Sequence, residues 1–374
     1  MKKLFIITGE YSGDKHASDI VRELKTQTSN IEIEAIGGEN LKKSGVKLFS
    51  DHSKMSSVGI SPQIIWDHLN LGKRTVKYLK QYNPDIVLLI DYGGFNLNIS
   101  KVIKKELPNT KIYYYIPPQI WASRKWRINT VKKCIDKVFC IFPFEKKLYN
   151  SNNIDCEFAG HPLVHQIPRN HNKEEFFKKY NLDTSKKLVS IFPGSRVFEV
   201  KNLLKTFIKA SEIIKKQEPE TQFVIALAPN LKIDIINKFL PKNCDMQIIQ
   251  HENYPLLEIS DSLILASGTV ALEAALYNTP MLISYKGPLL LYLIYLMVRC
   301  IKKVSLPNII MHKNIIKELI QFDSNAQKVA KETLEILKNN SYREQMINEL
   351  KEVEKHLSAL KPAKVVAENI IKTK

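Results

Sequence analysis

The chain has 374 residues, 44% apolar and 25% charged, the composition of an ordinary soluble globular protein with length for about two domains at ~150 residues each. That excludes a disordered, collagen-like or fibrous chain, and five scattered cysteines without a C-x-x-C pair exclude a disulfide framework or structural zinc site and point to a reducing cytoplasm. Lys and Arg outnumber Asp and Glu by 56 to 38, and the resulting +18 calls for nucleic acid, anionic lipid or a phosphorylated substrate, unless it only reflects a Lys-rich genome.

Along the chain, Met1-Lys2-Lys3-Leu4-Phe5-Ile6-Ile7 is too short an apolar stretch for a signal peptide and reads as a buried first strand, 4–8. Further strands are expected at 31–36, 86–90, 111–116 and 138–142, alternating with helices as in a parallel sheet. The first helix shows Ala17, Ile20, Val21 and Leu24 at i, i+3, i+4 and i+7, with Ser12 or Asp14 as its cap. A polar stretch, 167–187, with one short helical piece at 174–180, reads as a linker. Strands resume at 188–192, 223–227, 247–249, 262–266 and 281–284, and everything from 315 onward reads as helix. The longest apolar run, 289–298, has ten residues, against the ~20 that a bilayer span needs. The expected organisation is two doubly wound α/β domains, 1–166 and 188–350, followed by C-terminal helices at 351–374. Ligands of such sheets bind beyond the carboxyl ends of the strands.

Those loops hold the candidate chemistry. Gly9-Glu10-Tyr11-Ser12-Gly13-Asp14 is either a plain βα turn or a substrate-facing loop whose free amides hold an anion or a sugar hydroxyl. It is not the G-x-G-x-x-G fingerprint, so no nicotinamide cofactor is indicated. Asp91 ends a wholly apolar strand, where its pKa can be tuned for proton transfer; it is either a general base or the cap of the next helix. The loop Ile116-Pro117-Pro118-Gln119-Ile120-Trp121-Ala122, with Arg124, Lys125, Trp126 and Arg127, either binds phosphates and stacks on bases or is a proline-stiffened loop before a solvated basic helix. Pro193-Gly194-Ser195-Arg196 offers amides, a hydroxyl and a guanidinium to a diphosphate. Ala266-Ser267-Gly268-Thr269 opens another helix, and Glu273 one turn later can grip the two hydroxyls of a ribose. There is no Walker A motif, no Asp-x-Asp and no H-E-x-x-H, so neither a P-loop nor a metal-chelating site is expected.

Seven segments in order resemble the lipid-A-disaccharide synthase family: the first loop, Ile116 to Ala122, Phe142-Pro143-Phe144-Glu145-Lys146, Gly160-His161-Pro162-Leu163, Pro193 to Arg196, Ala266 to Thr269 and Ser305-Leu306-Pro307-Asn308. The resemblance implies a GT-B fold, with two Rossmann-like doubly wound domains facing across a cleft and C-terminal helices crossing back. It implies an inverting hexosyltransferase that joins UDP-2,3-diacylglucosamine to 2,3-diacylglucosamine 1-phosphate, giving UDP and the β-1,6-linked disaccharide 1-phosphate of lipid A. By that resemblance Asp91 deprotonates the acceptor 6-hydroxyl and Arg196 neutralises charge on the leaving UDP. Ser195, Ser267, Gly268, Thr269 and Glu273 hold the nucleotide, and Glu10, Ser12, Gly13 and Asn308 contact substrate or phosphate. No cofactor and no metal are implied. The chain departs from the family at Gly94, where a second acidic residue is usual, at Gln119 in place of Ser, and at Ser123 in place of Trp.

Acylated substrates place such an enzyme on the inner face of the inner membrane of a Gram-negative bacterium, against anionic lipid. The segment with Leu289, Leu293 and Leu296, followed by Arg299, Lys302 and Lys303, is either an interfacial anchor or an ordinary core helix, as is 58–66. The expected partners are the two acylated sugars, the membrane surface and, in a homodimer, a second copy of the chain, with no nucleic acid. The alternatives are another GT-B enzyme on a UDP-sugar, such as a UDP-N-acetylglucosamine 2-epimerase, and a basic nucleic-acid-binding protein. The latter predicts cations clustered on one element, whereas here they are spread over both domains.

Overall fold

The computed structural model describes residues 1–51, 62–241, 244, 246–288, 303–358 and 360–373. It divides into two compact units, Met1–His165 with Leu357–Lys374, and Gln166–His356. The first unit alternates β1 (Lys2–Ile7), α1 (Tyr11–Gln27), β2 (Ile31–Gly37), α2 (Glu39–Lys43), β3 (Lys47–Asp51), α3 (Pro62–Tyr82), β4 (Ile86–Ile90), α4 (Gly93–Glu106), β5 (Lys111–Tyr115), α5 (Arg127–Cys134), β6 (Lys137–Cys140), α6 (Pro143–Asn150) and β7 (Cys156–Phe158). A short helix, α7 (Leu163–Gln166), leads on to α8 (Lys173–Lys179), β8 (Lys187–Phe192), α9 (Val197–Gln217), β9 (Thr221–Leu227), α10 (Ile233–Asn237), β10 (Gln247–Gln250), α11 (Asn253–Ile259), β11 (Ser262–Ala266), α12 (Val270–Leu276) and β12 (Met281–Tyr285). Then come α13 (Leu306–Ile310), β13 (Lys317–Ile320), α14 (Ala326–Lys338), α15 (Asn340–Ser358) and α16 (Pro362–Lys372).

Both sheets are parallel and doubly wound, in the orders β3-β2-β1-β4-β5-β6-β7 and β10-β9-β8-β11-β12-β13. Parallel strands covered on both faces must be apolar throughout, and every residue of β4 and β11 is buried. In each sheet the chain leaves the first strand in one direction and the fourth in the other. The crevice at that reversal is where ligands of such folds bind. It falls between the loops after β1 and β4 in the first unit, and between those after β8 and β11 in the second.

The helices follow their apolar stripes. Ala17, Ile20, Val21 and Leu24 of α1 are fully buried, as their spacing predicts. The cap is different. The N-cap of α1 is Glu10, with no side-chain bond, and Asp14 is buried and caps α2 instead. Its carboxylate accepts from Gly38 N at 2.6 Å, Asn40 N at 2.8 Å, Asn40 Nδ2 at 2.9 Å and Leu41 N at 3.3 Å. The N-cap of α2 is Gly38, which has no side chain of its own to accept these amides.

The region from 315 onward is not all helix, because β13 joins the edge of the second sheet beside β12. Ile315, Ile316, Leu319 and Ile320 recur at a spacing that imitates one face of a helix, yet the segment is a short edge strand. The final helix, α16, lies on α1 within the first unit. Its last carbonyls are taken by Lys2, whose Nζ donates to Ile370 O at 2.9 Å, Ile371 O at 2.8 Å and Thr373 O at 2.6 Å.

Removing the borrowed cap tests this account. Asp14→Ala strands three buried or half-buried backbone amides, and a loss of about 2–4 kcal/mol is expected. It would be read as a lower urea midpoint, with a smaller fall in Asp14→Asn, which keeps one acceptor oxygen.

Candidate active site

In the second unit, the loop after β8 turns through Gly194, whose φ of +117° favours glycine. A Cβ there would also lie 2.4 Å from Glu199 Oε2. Glu199 is buried in the first turn of α9. Its Oε2 accepts from Ser195 N at 2.9 Å and Arg196 N at 3.3 Å, and its Oε1 from Arg196 Nη1 at 3.3 Å. The amides of Ser195 and Arg196 are therefore taken by Glu199, which corrects the expectation that they cradle a diphosphate. What the loop presents is the Ser195 hydroxyl and a guanidinium that is 71% exposed. Asn230 Nδ2 holds Ser195 O from the other side at 2.9 Å.

The loop after β11 faces the same space. Ser195, Arg196, Ser267, Gly268, Thr269 and Glu273 line one cavity of about 460 Å³, with Glu199, Asn230 and Asn253. A Cβ on Gly268 would meet nothing within 4 Å, so packing does not require glycine there. Burial raises the carboxyl pKa of Glu273. The cavity thus offers a cation, two hydroxyl-bearing loops and a half-buried carboxylate, the donor and acceptor set that a nucleoside diphosphate needs.

In the first unit, Asp91 (φ 49°) and Tyr92 (φ 51°) are both left-handed, which for non-glycine residues costs of order 1–3 kcal/mol each. The neighbouring strand enforces this. Tyr114 donates its hydroxyl to Asp91 O at 2.7 Å, Asn96 Nδ2 donates to the same oxygen at 2.8 Å, and Asp91 N donates to Tyr115 O at 3.1 Å. The reversal frees the Asp91 carboxyl from capping duty, since the N-cap of α4 is Tyr92, whose hydroxyl pairs with His68 and makes no capping bond. Burial raises the Asp91 carboxyl pKa, the Tyr92 amide opposes this, and the nearby Glu10 charge adds to it. Gly9 is forced by contact, because a Cβ there would fall 2.2 Å from the Tyr92 ring.

The aromatic loop after β5 is committed internally. Trp121 Nε1 donates to Glu145 Oε1 at 2.8 Å, and the indole meets Phe144 edge-on at 5.1 Å. Phe142 stacks on Phe144, and His161 packs on Phe142 at 5.2 Å. Burial pushes the Glu145 carboxyl up to about 7, against the opposing Trp121 bond, and pulls His161 down to about 3. The motifs around Trp121, Glu145 and His161 are thus one packed cluster, in which Trp121 is half-buried and tied to Glu145.

The family model for lipid-A-disaccharide synthetase matches residues 4–370. A lipid-A-disaccharide synthase of Coxiella burnetii (strain CbuG_Q212) is 35% identical over 373 residues, 99% of this chain and 98% of the relative. Lipid-A-disaccharide synthase 1 of Legionella pneumophila (strain Lens) is 33% identical, covering 96% and 94%. The chain belongs to the lipid-A-disaccharide synthase family. It is therefore a glycosyltransferase of lipid A biosynthesis with lipid-linked sugar substrates. Among solved structures, the UDP-GlcNAc 2-epimerase of Neisseria meningitidis bound to UDP-GlcNAc superposes with a TM-score of 0.68 at 15% identity over all of both chains. A glycosyltransferase of Rickettsia africae ESF-5 gives 0.61 at 14%, covering 100% and 99%. These likenesses fix the fold as GT-B type.

Within that family the residues singled out from the sequence separate. Arg196, Ser195, Ser267, Gly268, Thr269 and Glu273 share the cavity of the second unit. Asp91 and Glu10 sit together in the first, and Ser12 is exposed in the first turn of α1. Gly13 is buried in the first turn of α1, where an added Cβ would make only ordinary contacts, 3.5 Å from Thr8 and 3.7 Å from Ile90 O. Asn308 is structural. It is buried, its Nδ2 donates to Ile316 O and Glu318 Oε1 at 2.8 Å each, and its Oδ1 accepts from Ile315 N and Ile316 N. Both side-chain polar atoms of Asn308 are thereby taken. Glu318, which also takes Ser305 N and Oγ, is what the Ser305 to Asn308 motif is built around. Leu289, Leu293, Leu296, Arg299 and Lys302 lie outside the described residues, while Lys303 is half-buried with its pKa lowered by burial, against the opposing Glu318 charge. No helix among the described residues is long and apolar enough to cross a membrane.

Glu199, Asn230 and Asn253 were not legible as site residues. For Glu199 the signal was present, an acidic residue three positions after Arg196 at a helix start, the spacing of a capping box. Glu199→Ala is expected to weaken UDP binding by about tenfold, measured by calorimetry, because Arg196 and Ser195 lose a charge-assisted anchor. With Asp91 as a general base, the acid limb of the kcat/KM profile should lie above the ordinary carboxylate range, since a base is active only when ionised and burial favours the neutral form of Asp91. Glu10→Gln removes a like charge, so that midpoint should move to lower pH; a midpoint that stays put removes Glu10 from the electrostatics of Asp91.

Proposed function

We propose that the protein transfers a 2,3-diacylglucosaminyl group from its UDP carrier to the 6-hydroxyl of 2,3-diacylglucosamine 1-phosphate, with inversion at the anomeric carbon. The observation that carries this reading is the family match over residues 4–370. The site geometry supports the assignment of roles. Asp91, whose pKa is raised by burial and by the Glu10 charge, takes the hydroxyl proton. The acceptor oxygen attacks the anomeric carbon from the face opposite UDP, and the bond to the diphosphate oxygen breaks with its electron pair. Arg196 and the amides of the loop after β11 stabilise the charge that grows on UDP. Glu273 accepts from the ribose hydroxyls, and Ser195, Ser267 and Thr269 hold the phosphates.

We place the reaction at the inner face of the inner membrane. The support is the acylated substrates, a net charge of +18 and the outward-facing Trp66 and Leu69 of α3. A UDP-N-acetylglucosamine 2-epimerase shares the fold alone, at 15% identity. The deciding assay supplies both acylated substrates and follows disaccharide and UDP. In Asp91→Asn, turnover should fall by ~10²-fold or more while UDP affinity stays unchanged. Near-normal turnover in that variant would remove Asp91 from the mechanism.

A further inference from the structure

We propose that the groove between α3 and α4 of the first unit seats a fatty-acyl chain of the acceptor and limits its length, an inference that rests on the reaction proposed above. The groove encloses about 810 Å³, within the range of small-molecule sites. Its walls are Leu69, Gly72 and Val76 from α3 and Phe95, Ile99 and Val102 from α4. Each set recurs at helical spacing, so two apolar stripes face one space that they do not fill. The gap has a cause at Gly72, where even an added Cβ would find only Phe95, at 3.9 Å. Leu69 and Val102 are left 59% and 44% exposed.

The two ends differ from the walls. Tyr92 and Gly94 form one end; Tyr92 adjoins Asp91 in the chain and Gly94 lies three residues beyond it. A ligand whose reacting hydroxyl lies at Asp91 therefore has its apolar part at the mouth of the groove. At the other end Lys80 Nζ and Glu106 Oε2 pair at 2.5 Å. The span from Gly94 to Glu106 on α4 is about 18 Å at helical rise. Hydrocarbon pressed against the Lys80–Glu106 pair would strip water from both charges, so the pair is a stop. Lys73 and Lys77 on the rim suit an anionic headgroup outside. Apolar walls, a reactive mouth and a charged end together select a single hydrocarbon chain tethered to a polar head.

Gly72→Phe tests the seat without threatening the fold, because glycine is a poor helix former and the added ring enters open space. Acceptor binding is measured by calorimetry without donor, and kcat/KM with detergent-dispersed acceptors of full-length and severely shortened acyl chains. Loss of at least about tenfold for the full-length acceptor alone, with UDP affinity unchanged, is expected. In the double variant Lys80→Ala, Glu106→Ala the preference should shift toward longer chains. Equal effects on both acceptors, or none, would overturn the proposal. So would weaker binding to anionic vesicles with an unaltered chain-length preference, which would assign the groove to the bilayer. If wild-type protein forms no disaccharide from any acceptor, the reaction reading fails, and the calorimetric arm still decides the groove.

Discussion

The site chemistry depends on where a parallel, doubly wound sheet must open. β1 pairs with β4 from Leu4↔Ile86 to Ile7↔Leu89, and two residues further on Gly9 comes level with Asp91. From there the two loops turn to opposite faces of the sheet, because crossovers of one hand started in opposite directions cannot share a side. The same divergence separates the loops after β8 and β11, whose last paired residues are Phe192 and Leu265. Glycines and a few polar side chains gather at those openings. Apolar strands below hold them in place, which is why Asp91, Arg196 and Glu273 occur where hydrophobic runs end.

The two openings are tuned in opposite electrostatic ways. Asp91 stands in a buried setting, with a second acidic group, Glu10, nearby. Its ionised form is raised in energy, which suits the role of base proposed for it. Arg196 instead has Glu199 as an anchor, but the guanidinium is 71% exposed while the carboxylate is buried. An exposed pair of this kind adds little stability. Its effect is on geometry, since the same carboxylate also fixes two backbone amides of the loop. The guanidinium stays exposed, as the diphosphate role proposed for it needs, and Glu199 ties down the backbone that carries it.

Buried strands and the loops after them were readable in the sequence because both follow from local pattern. The run Ile86 to Ile90 is a strand by composition, and the first polar residue after it is at its carboxyl end. Edge strands were not readable in the same way. β13 has a single fully buried apolar residue, Leu319, and its flanking isoleucines imitate a helix. Side-chain bonds between segments distant in sequence were also out of reach. Asp14 looks like the cap of its own helix, yet it serves α2, because Gly38 offers no oxygen. Asn308 and Trp121 look like ligand contacts, yet their partners, Glu318 and Glu145, lie 10 and 24 residues away. Motif resemblance marks such residues as kept together without saying whether they hold a ligand or each other.

The glycines separate those two cases on physical grounds. At Gly9, Gly93 and Gly194 an added Cβ would collide with Tyr92, Pro118 or Glu199, so the chain itself demands glycine. At Gly94 and Gly268 it would meet nothing within 4 Å, and at Gly72 only Phe95. Each of these three lines a cavity: Gly268 beside Arg196 and Glu273, Gly94 and Gly72 in the groove that begins beside Asp91. A helical glycine that packing does not need lowers helix stability, so Gly72 and Gly94 act against the stability of α3 and α4 and in favour of open volume. An acidic residue at position 94, as the family resemblance implies, would set a further charge at the mouth of an apolar groove. Its absence leaves Asp91 and Glu10 as the carboxylates there and keeps the entrance hydrocarbon-compatible.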